Sequence, residues 1–304
     1  MNRIINKILN KIHGRLMSGI GIEINQIIEK QKGIAPKIDK GTQILLTLKY
    51  KELVQKKEKL PDFDDIEFKL FSQNGEDGIL HFIFSLINPT NKIFVEIGAG
   101  DGIENNTANL IINHGWTGLH FDGDRNNVSE GIRFYSNNPE IRNYPPKSIH
   151  AWITTENVNK LITENGVNGE IDLLSIDIDG VDYWIWKEIE CIRPRVVIVE
   201  TQCIWGPEIS VTVPYSPDFR PQFYDGFGIY SGASLNAFVK LAREKGYRLV
   251  GVQRYGYNAF FIRNDIGMDV FPEIETKACF NHPFTKWAME TLLPKVRDLV
   301  WEEV

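Results

Sequence analysis

The sequence predicts an α/β fold, a mostly parallel sheet with helices on both faces. Three observations carry this. Short, mostly apolar runs alternate with stretches of helical spacing, the pattern of repeated βα units. The first such run is closed by glycines. With 42% hydrophobic, 11% aromatic and 24% charged residues, the 304-residue chain can bury a sizeable core, which excludes collagen-like, low-complexity and disordered readings.

The elements follow in order. Residues 92–97 (KIFVEI) form the first strand, after which Ile103, Thr107, Leu110 and Ile111 recur at helical spacing until Asn113-His114-Gly115 supplies a stop. Residues 118–121 read as a second strand, 148–153 as a third and 156–163 as a helix. The run IDLLSIDI at 171–178 is a fourth strand, 181–190 a helix, and RVVIV at 195–199 a fifth strand ending in Glu200. A helix at 234–246 precedes a last pair of strands, 248–253 and 258–262. No internal repeat is present.

The ends differ from this domain. Residues 1–60 hold 13 Lys and Arg against 5 Asp and Glu, a charge of +8, while the rest holds 21 against 35, or −14; the net −6 averages two unlike parts. On a helix, Ile4, Ile5, Ile8, Leu9, Ile12 and Leu16 share an arc of about 140°, edged by Arg3, Lys7, Lys11 and Arg15. Two readings of residues 1–16 stand: an anchor for a membrane surface or acidic partner, and a helix packed on its own domain or on a second subunit. A further helix is expected from about 42 to 58, and Pro61-Asp62-Phe63 as a hinge, which divides the chain into a basic helical extension, 1–62, and a main domain, 63–304. The acidic balance argues against nucleic acid as a partner. No apolar run reaches the roughly 20 residues of a membrane-spanning helix and the start lacks a signal peptide's apolar core, so a cytoplasmic protein, at most peripheral at the inner membrane surface, is expected. Cys191, Cys203 and Cys279 are odd in number and widely spaced, which fits neither a disulfide framework nor a metal knuckle.

The most informative stretch is Phe94-Val95-Glu96-Ile97-Gly98-Ala99-Gly100-Asp101-Gly102. Glycines at alternate positions after a buried strand let the backbone turn tightly and approach a nucleotide-like cofactor. The dinucleotide fingerprint needs GxGxxG, whereas Ile103 follows Gly102 here. Glu96, two positions before Gly98, would repel a pyrophosphate but suits a ligand with an ammonium and a sulfonium. Asp122 lies 20 positions beyond Gly102, the interval that brings a second strand tip beside the first; Asp124 competes for that place.

The ExGxGxG pattern resembles motif I of the class I S-adenosylmethionine (SAM)-dependent methyltransferases. With FSQNGEDGIL (71–80), DLLSIDIDG (172–180) and PRVVIVE (194–200), residues 66–265 resemble FkbM-type methyltransferases, many of which act on hydroxyls of sugars and other natural products. The resemblance implies a Rossmann-like fold with a seven-stranded sheet and SAM as cofactor. It implies that Gly98, Gly100 and Gly102 pass under the methionine and ribose, that Asp122 binds the ribose hydroxyls, and that Glu96 and Asp177 are also among the cofactor-binding residues. Gln73 and Asn74 would contact the amino-acid end, or cap a helix. Trp152, standing where many such enzymes have an acid for adenine, would stack on the base or lie in the core.

Open α/β sheets bind ligands at the carboxyl ends of their strands, where the fourth strand brings Asp177 and Asp179 and the fifth Glu200. On an extended chain, residues two apart face the same way. Three carboxylates at one edge call for a metal ion, a basic residue or a shared proton. Asp177, Asp179 or Glu200 could take the proton from an acceptor hydroxyl, or the three could hold Mg²⁺ or Mn²⁺. His282 is the candidate for a late-entering base. Seven aromatics between 201 and 230, Trp205, Tyr215, Phe219, Phe223, Tyr224, Phe227 and Tyr230, suit stacking on sugar faces, or the packing of a lid. The expected function is therefore methyl transfer to a hydroxyl of a saccharide or sugar nucleotide, in a protein that is monomeric or a homo-oligomer. The alternatives are an NAD(P)-dependent oxidoreductase, a glycosyltransferase using Asp122-Gly123-Asp124 or Asp177-Ile178-Asp179, and a non-catalytic scaffold docking through its basic helix.

Overall fold

The computed structural model describes residues 38–304. The expected helix at 1–16 lies outside them. In chain order the elements are α1 (Lys40–Lys56), α2 (Phe63–Ile66), α3 (Glu76–Ile87), β1 (Ile93–Ile97), α4 (Ala108–His114), β2 (Thr117–Asp122), α5 (Arg125–Asn137) and β3 (Lys147–His150). Then come α6 (Val158–Glu164), β4 (Gly169–Ile176), α7 (Asp182–Glu188), β5 (Ile192–Glu200), β6 (Val211–Thr212), β7 (Gln222–Tyr224), β8 (Phe227–Tyr230) and α8 (Leu235–Lys245). The chain ends with β9 (Tyr247–Val252), β10 (Asn258–Arg263), α9 (Pro283–Thr291) and β11 (Glu302–Glu303).

Among the described residues the central sheet has seven strands in the order β3-β2-β1-β4-β5-β10-β9, with β10 alone antiparallel to its neighbours. This is the Rossmann-like methyltransferase architecture that the sequence predicts. Alternation along each strand divides the core. Val95, Ile97, Leu174, Ile176, Val197 and Val199 face one layer, with Trp186 and Phe238 from α7 and α8. Phe94, Leu173, Val196, Ile198, Phe260 and Ile262 face the other, with Phe82 and Ile83 of α3. Trp186 is 1% exposed, and truncating such a side chain to alanine costs about 3–5 kcal/mol.

Residues 40–304 form one compact unit. Within it α1, which the sequence assigns to the basic extension, is packed. Tyr50 meets Phe82 edge-on at 4.7 Å, and Thr47 Oγ1 lies 2.9 Å from Ser85 Oγ. The expected hinge is packed as well: Phe63 lies over Gly251 of β9, where a Cβ would stand 2.2 Å from its ring.

Two local expectations change. The helix after the glycine loop begins at Ala108, not near Ile103. Residues 101–107 (DGIENNT) are irregular because Asp and Asn side chains capture the backbone amides that a helix would use: Asp101 Oδ1 accepts from Ile103 N at 2.9 Å and Asn105 Oδ1 from Ala108 N at 2.9 Å. The 201–230 stretch is an ordered insertion carrying β6 and the β7–β8 hairpin, with β6 paired to β11 near the C-terminus.

Candidate active site

The carboxyl ends of β1, β2, β3 and β4, with the start of β10, meet at one cleft of about 750 Å³. Its floor is the glycine loop. Gly98 has φ +84°, and a Cβ there would stand 1.6 Å from the carbonyl oxygen of Asp177, so only glycine lets the loop pass so close to the end of β4. Gly100 has φ +56°, lines the cleft, and has nothing within 4 Å of where its Cβ would be. Gly102 does not share this role. Its Cβ position lies 3.1 Å from Tyr135, whose hydroxyl donates to the Gly102 carbonyl, so it packs the loop onto α5 away from the main cleft.

Glu96 and Asp122 flank this floor. Glu96, 3% exposed, accepts from Asn106 N at 3.0 Å and from the Thr107 hydroxyl, and lies 3.4 Å from His120 Nε2. His120 Nε2 is also 2.8 Å from Thr107 Oγ1 while its buried Nδ1 has no partner, which assigns the ring proton to Nε2. Asp122 Oδ2 accepts from Gly100 N at 2.8 Å, and Oδ1 from Asp124 N at 2.8 Å. The competitor, Asp124, is the N-cap of α5, accepting from Asn126 N at 2.6 Å. Asp122-Gly123-Asp124 is therefore not a free pair for a metal.

Trp152 is 46% exposed and forms a wall, not core. Its indole N–H donates to Pro217 O at 2.7 Å, and the Arg220 guanidinium carbon sits 3.9 Å from the ring centroid. Gln73 lines the cleft. Asn74 does not; its amide donates to Glu76 Oε2 and its carbonyl accepts from Gln253.

The opposite side is acidic. β4 ends at Ile176, one residue before Asp177, and Asp179 has φ +51°, so the two aspartates reach the cleft through a turn and not, as expected, on an extended strand. The buried carboxylate of Asp182 holds that turn, accepting from Ile178 N at 2.9 Å and Gly180 N at 3.0 Å. One oxygen from each of Asp177, Asp179 and Glu200 lies within 4.8 Å of the others. Glu200 does not line the cleft and lies against Asp177, which does. Burial, followed by the charges of Asp182 and Asp179, raises Asp177 well above the usual carboxylate range; burial and then Asp177 raise Glu200 likewise. Burial raises Asp179 as well, and Asp182 to about 6.

His282 is not part of this assembly. Its Nδ1 accepts from Phe284 N at 3.1 Å as the N-cap of α9, and its ring packs edge-on against Tyr255, off the cleft, so the expected late-entering base is a helix cap. Of the seven aromatics of 201–230, Phe219 lines the cleft. Trp205 and Tyr230 pack on Trp301, and Phe227 on Trp287, which is the ordered-lid reading. Sequence reasoning missed Glu76 and Asn258, which also line the cleft. Glu76 lay within the quoted FSQNGEDGIL run; Asn258, the first residue of a strand, carried no signal.

No protein-family model matches the chain, and no curated protein matches it in sequence. Solved structures with a related chain path include three methyltransferases. One is magnesium protoporphyrin IX methyltransferase from Synechocystis PCC 6803 with bound SAM, at 12% identity and TM-score 0.38 over 62% of this chain and 77% of that one. A SAM-dependent methyltransferase from Clostridium acetobutylicum ATCC 824 gives 11% and 0.38 over 72% and 97%. The O-methyltransferase from Bacillus cereus in complex with SAH gives 13% and 0.39 over 78% and 96%. What this chain does is decided by the residues of its own cleft.

Proposed function

We propose that the chain is a SAM-dependent methyltransferase that methylates a hydroxyl of a sugar-containing acceptor. The observation that carries this is the bare face of Gly100, directed into a cleft with Asp122 on its amide and with the Asp177 cluster across from it. The donor set fits the cofactor. Glu96 offers a carboxylate to its cationic amino-acid end, Asp122 has acceptor capacity left for ribose hydroxyls, and Trp152 offers an aromatic wall to adenine. When bound, the cofactor supplies an activated methyl group. The chain's own task is to orient the acceptor, exclude water and take up one proton.

Asp177 is the proposed proton acceptor. A carboxylate raised above its usual range by burial and like charge takes a proton more readily than one in water, and Asp182 and Asp179 keep it raised. The same three side chains could instead supply hard oxygen ligands to Mg²⁺ or Mn²⁺. Activity lost in EDTA and restored by either ion would assign them that role.

The test has two stages. S-adenosylhomocysteine (SAH) is expected to raise the melting temperature through linkage, and NADH is not. Transfer of labelled methyl groups from SAM to a panel of sugar nucleotides and glycans, read by mass spectrometry, then identifies the acceptor. Stabilisation by NADH without SAH would favour the oxidoreductase reading.

A further inference from the structure

The cleft carries seven acidic residues in its lining and one basic residue, Arg125. Glu76 stands out among the acids. It is the first residue of α3, 1% exposed, with Oε2 bonded to Asn74 N at 2.9 Å and Oε1 to Asn258 Nδ2 at 3.0 Å. No ion pair among the described residues involves Glu76, Asp177, Asp179 or Glu200. A buried carboxylate with neutral partners only is costly unless a cation arrives.

The second observation is independent of the acids. Asn258, 6% exposed, lines the same cleft, and with its Nδ2 given to Glu76 its Oδ1 is left with no donor. A buried amide oxygen without a donor costs roughly 1–3 kcal/mol. The side-chain oxygens that these two lining residues hold at the buried edge of the cleft are thus acceptors, and what they lack is a donor with positive charge.

The sheet decides which ligand is concerned. Asn258 pairs in register with Glu200, and β10 lies two strands beyond β4, on the order of 10 Å at sheet spacing. The glycine loop follows β1, on the other side of β4. Glu76 and Asn258 therefore lie toward the β5–β10 side of the cleft, the side that the proposed function gives to the acceptor.

We infer that Glu76 and Asn258 form a subsite for a protonated amine on the acceptor, so that the enzyme selects an amino-bearing substrate such as an amino sugar. This rests on the methyltransferase reading for the word acceptor. The ammonium donates to Glu76 and to Asn258 Oδ1, and its placement sets which neighbouring hydroxyl lies beside Asp177.

The test uses the full chain loaded with SAH and two matched pairs of probes, glucosamine against glucose and 2-aminoethanol against ethylene glycol, titrated by calorimetry. The amine of each pair is expected to bind about tenfold more tightly, the scale of one charge-assisted hydrogen bond. Glu76→Gln and Asn258→Leu, each with its melting temperature measured, are expected to remove the preference and leave SAH affinity unchanged. Equal binding within both pairs, or a preference that survives both substitutions, overturns the inference. Weakened SAH binding in Glu76→Gln with 5′-methylthioadenosine binding intact would assign Glu76 to the cofactor's own ammonium and overturn it too. Failure of SAH to bind the unaltered chain would strike the methyltransferase reading instead, and the probe comparison without SAH would still be decisive for the subsite.

Discussion

On the β1–β2 side of the cleft, the carboxylates that matter are tied to the chain: Glu96 by Asn106 and Thr107, Asp122 by the amides of Gly100 and Asp124. On the β4–β5–β10 side, Asp177, Asp179 and Glu200 crowd one another, and Asn258 keeps an oxygen without a donor. The first side is built in advance for its ligand, with rigid groups in fixed positions. The second holds unfavourable charge that a ligand or proton must relieve. That difference is what the proposed methyl transfer requires: a rigid cradle for the donor and a reactive edge for the acceptor.

Changing the reactive side should have the largest effect. Asp177→Asn is expected to cut methyl transfer by at least about 100-fold, the scale of a lost general base, with SAH affinity retained in calorimetry. Full activity would remove Asp177 from the chemistry. The same variant sharpens the comparison through pH. A carboxylate raised in the folded state binds more protons folded than unfolded, so its contribution to stability falls as pH climbs from about 4 through its raised range. His114, lowered to about 4 mainly by burial, works in the opposite direction, so the readout is the difference between the two proteins. Denaturant melts from pH 4 to 8 should show Asp177→Asn gaining on the unaltered chain as pH rises. A constant difference would mean that the cluster carries no strain of charge.

The smallest effect is expected off the cleft. His282→Ala should lose about 1 kcal/mol of stability, the usual value of an N-cap, with kcat/KM unchanged. A large kinetic loss would restore it as a base and extend the reactive side to α9.

The two sides were also unequally legible in the sequence. The donor side follows from local backbone needs: Gly98 and Gly100 adopt positive φ in a loop closed on β4, and the interval from Gly102 to Asp122 is set by one βαβ unit. Such constraints leave a mark in consecutive residues. Gly102 carries the same mark for another reason, its contact with Tyr135, which spacing alone does not separate. The acceptor side is assembled from α3, β4, β5 and β10, far apart in sequence, so Asp177 and Asp179 were visible as a pair while the Glu76–Asn258 bond, 182 positions long, was not. His282 and the insertion's aromatics misled because a polar or aromatic residue beside a site and one capping a helix or packing a tail look alike until the fold is known.

The central claim is that the floor at Gly100 receives SAM. Calorimetry with SAH on the full chain and on Gly100→Val tests it most directly, because a branched side chain there enters open cleft and not the core, while its φ of +56° also strains the loop that holds the ligand. Binding by the unaltered chain, and its loss in a variant whose melting temperature shows it folded, is the predicted result. No SAH binding by the unaltered chain, or equal binding by both proteins, would contradict it.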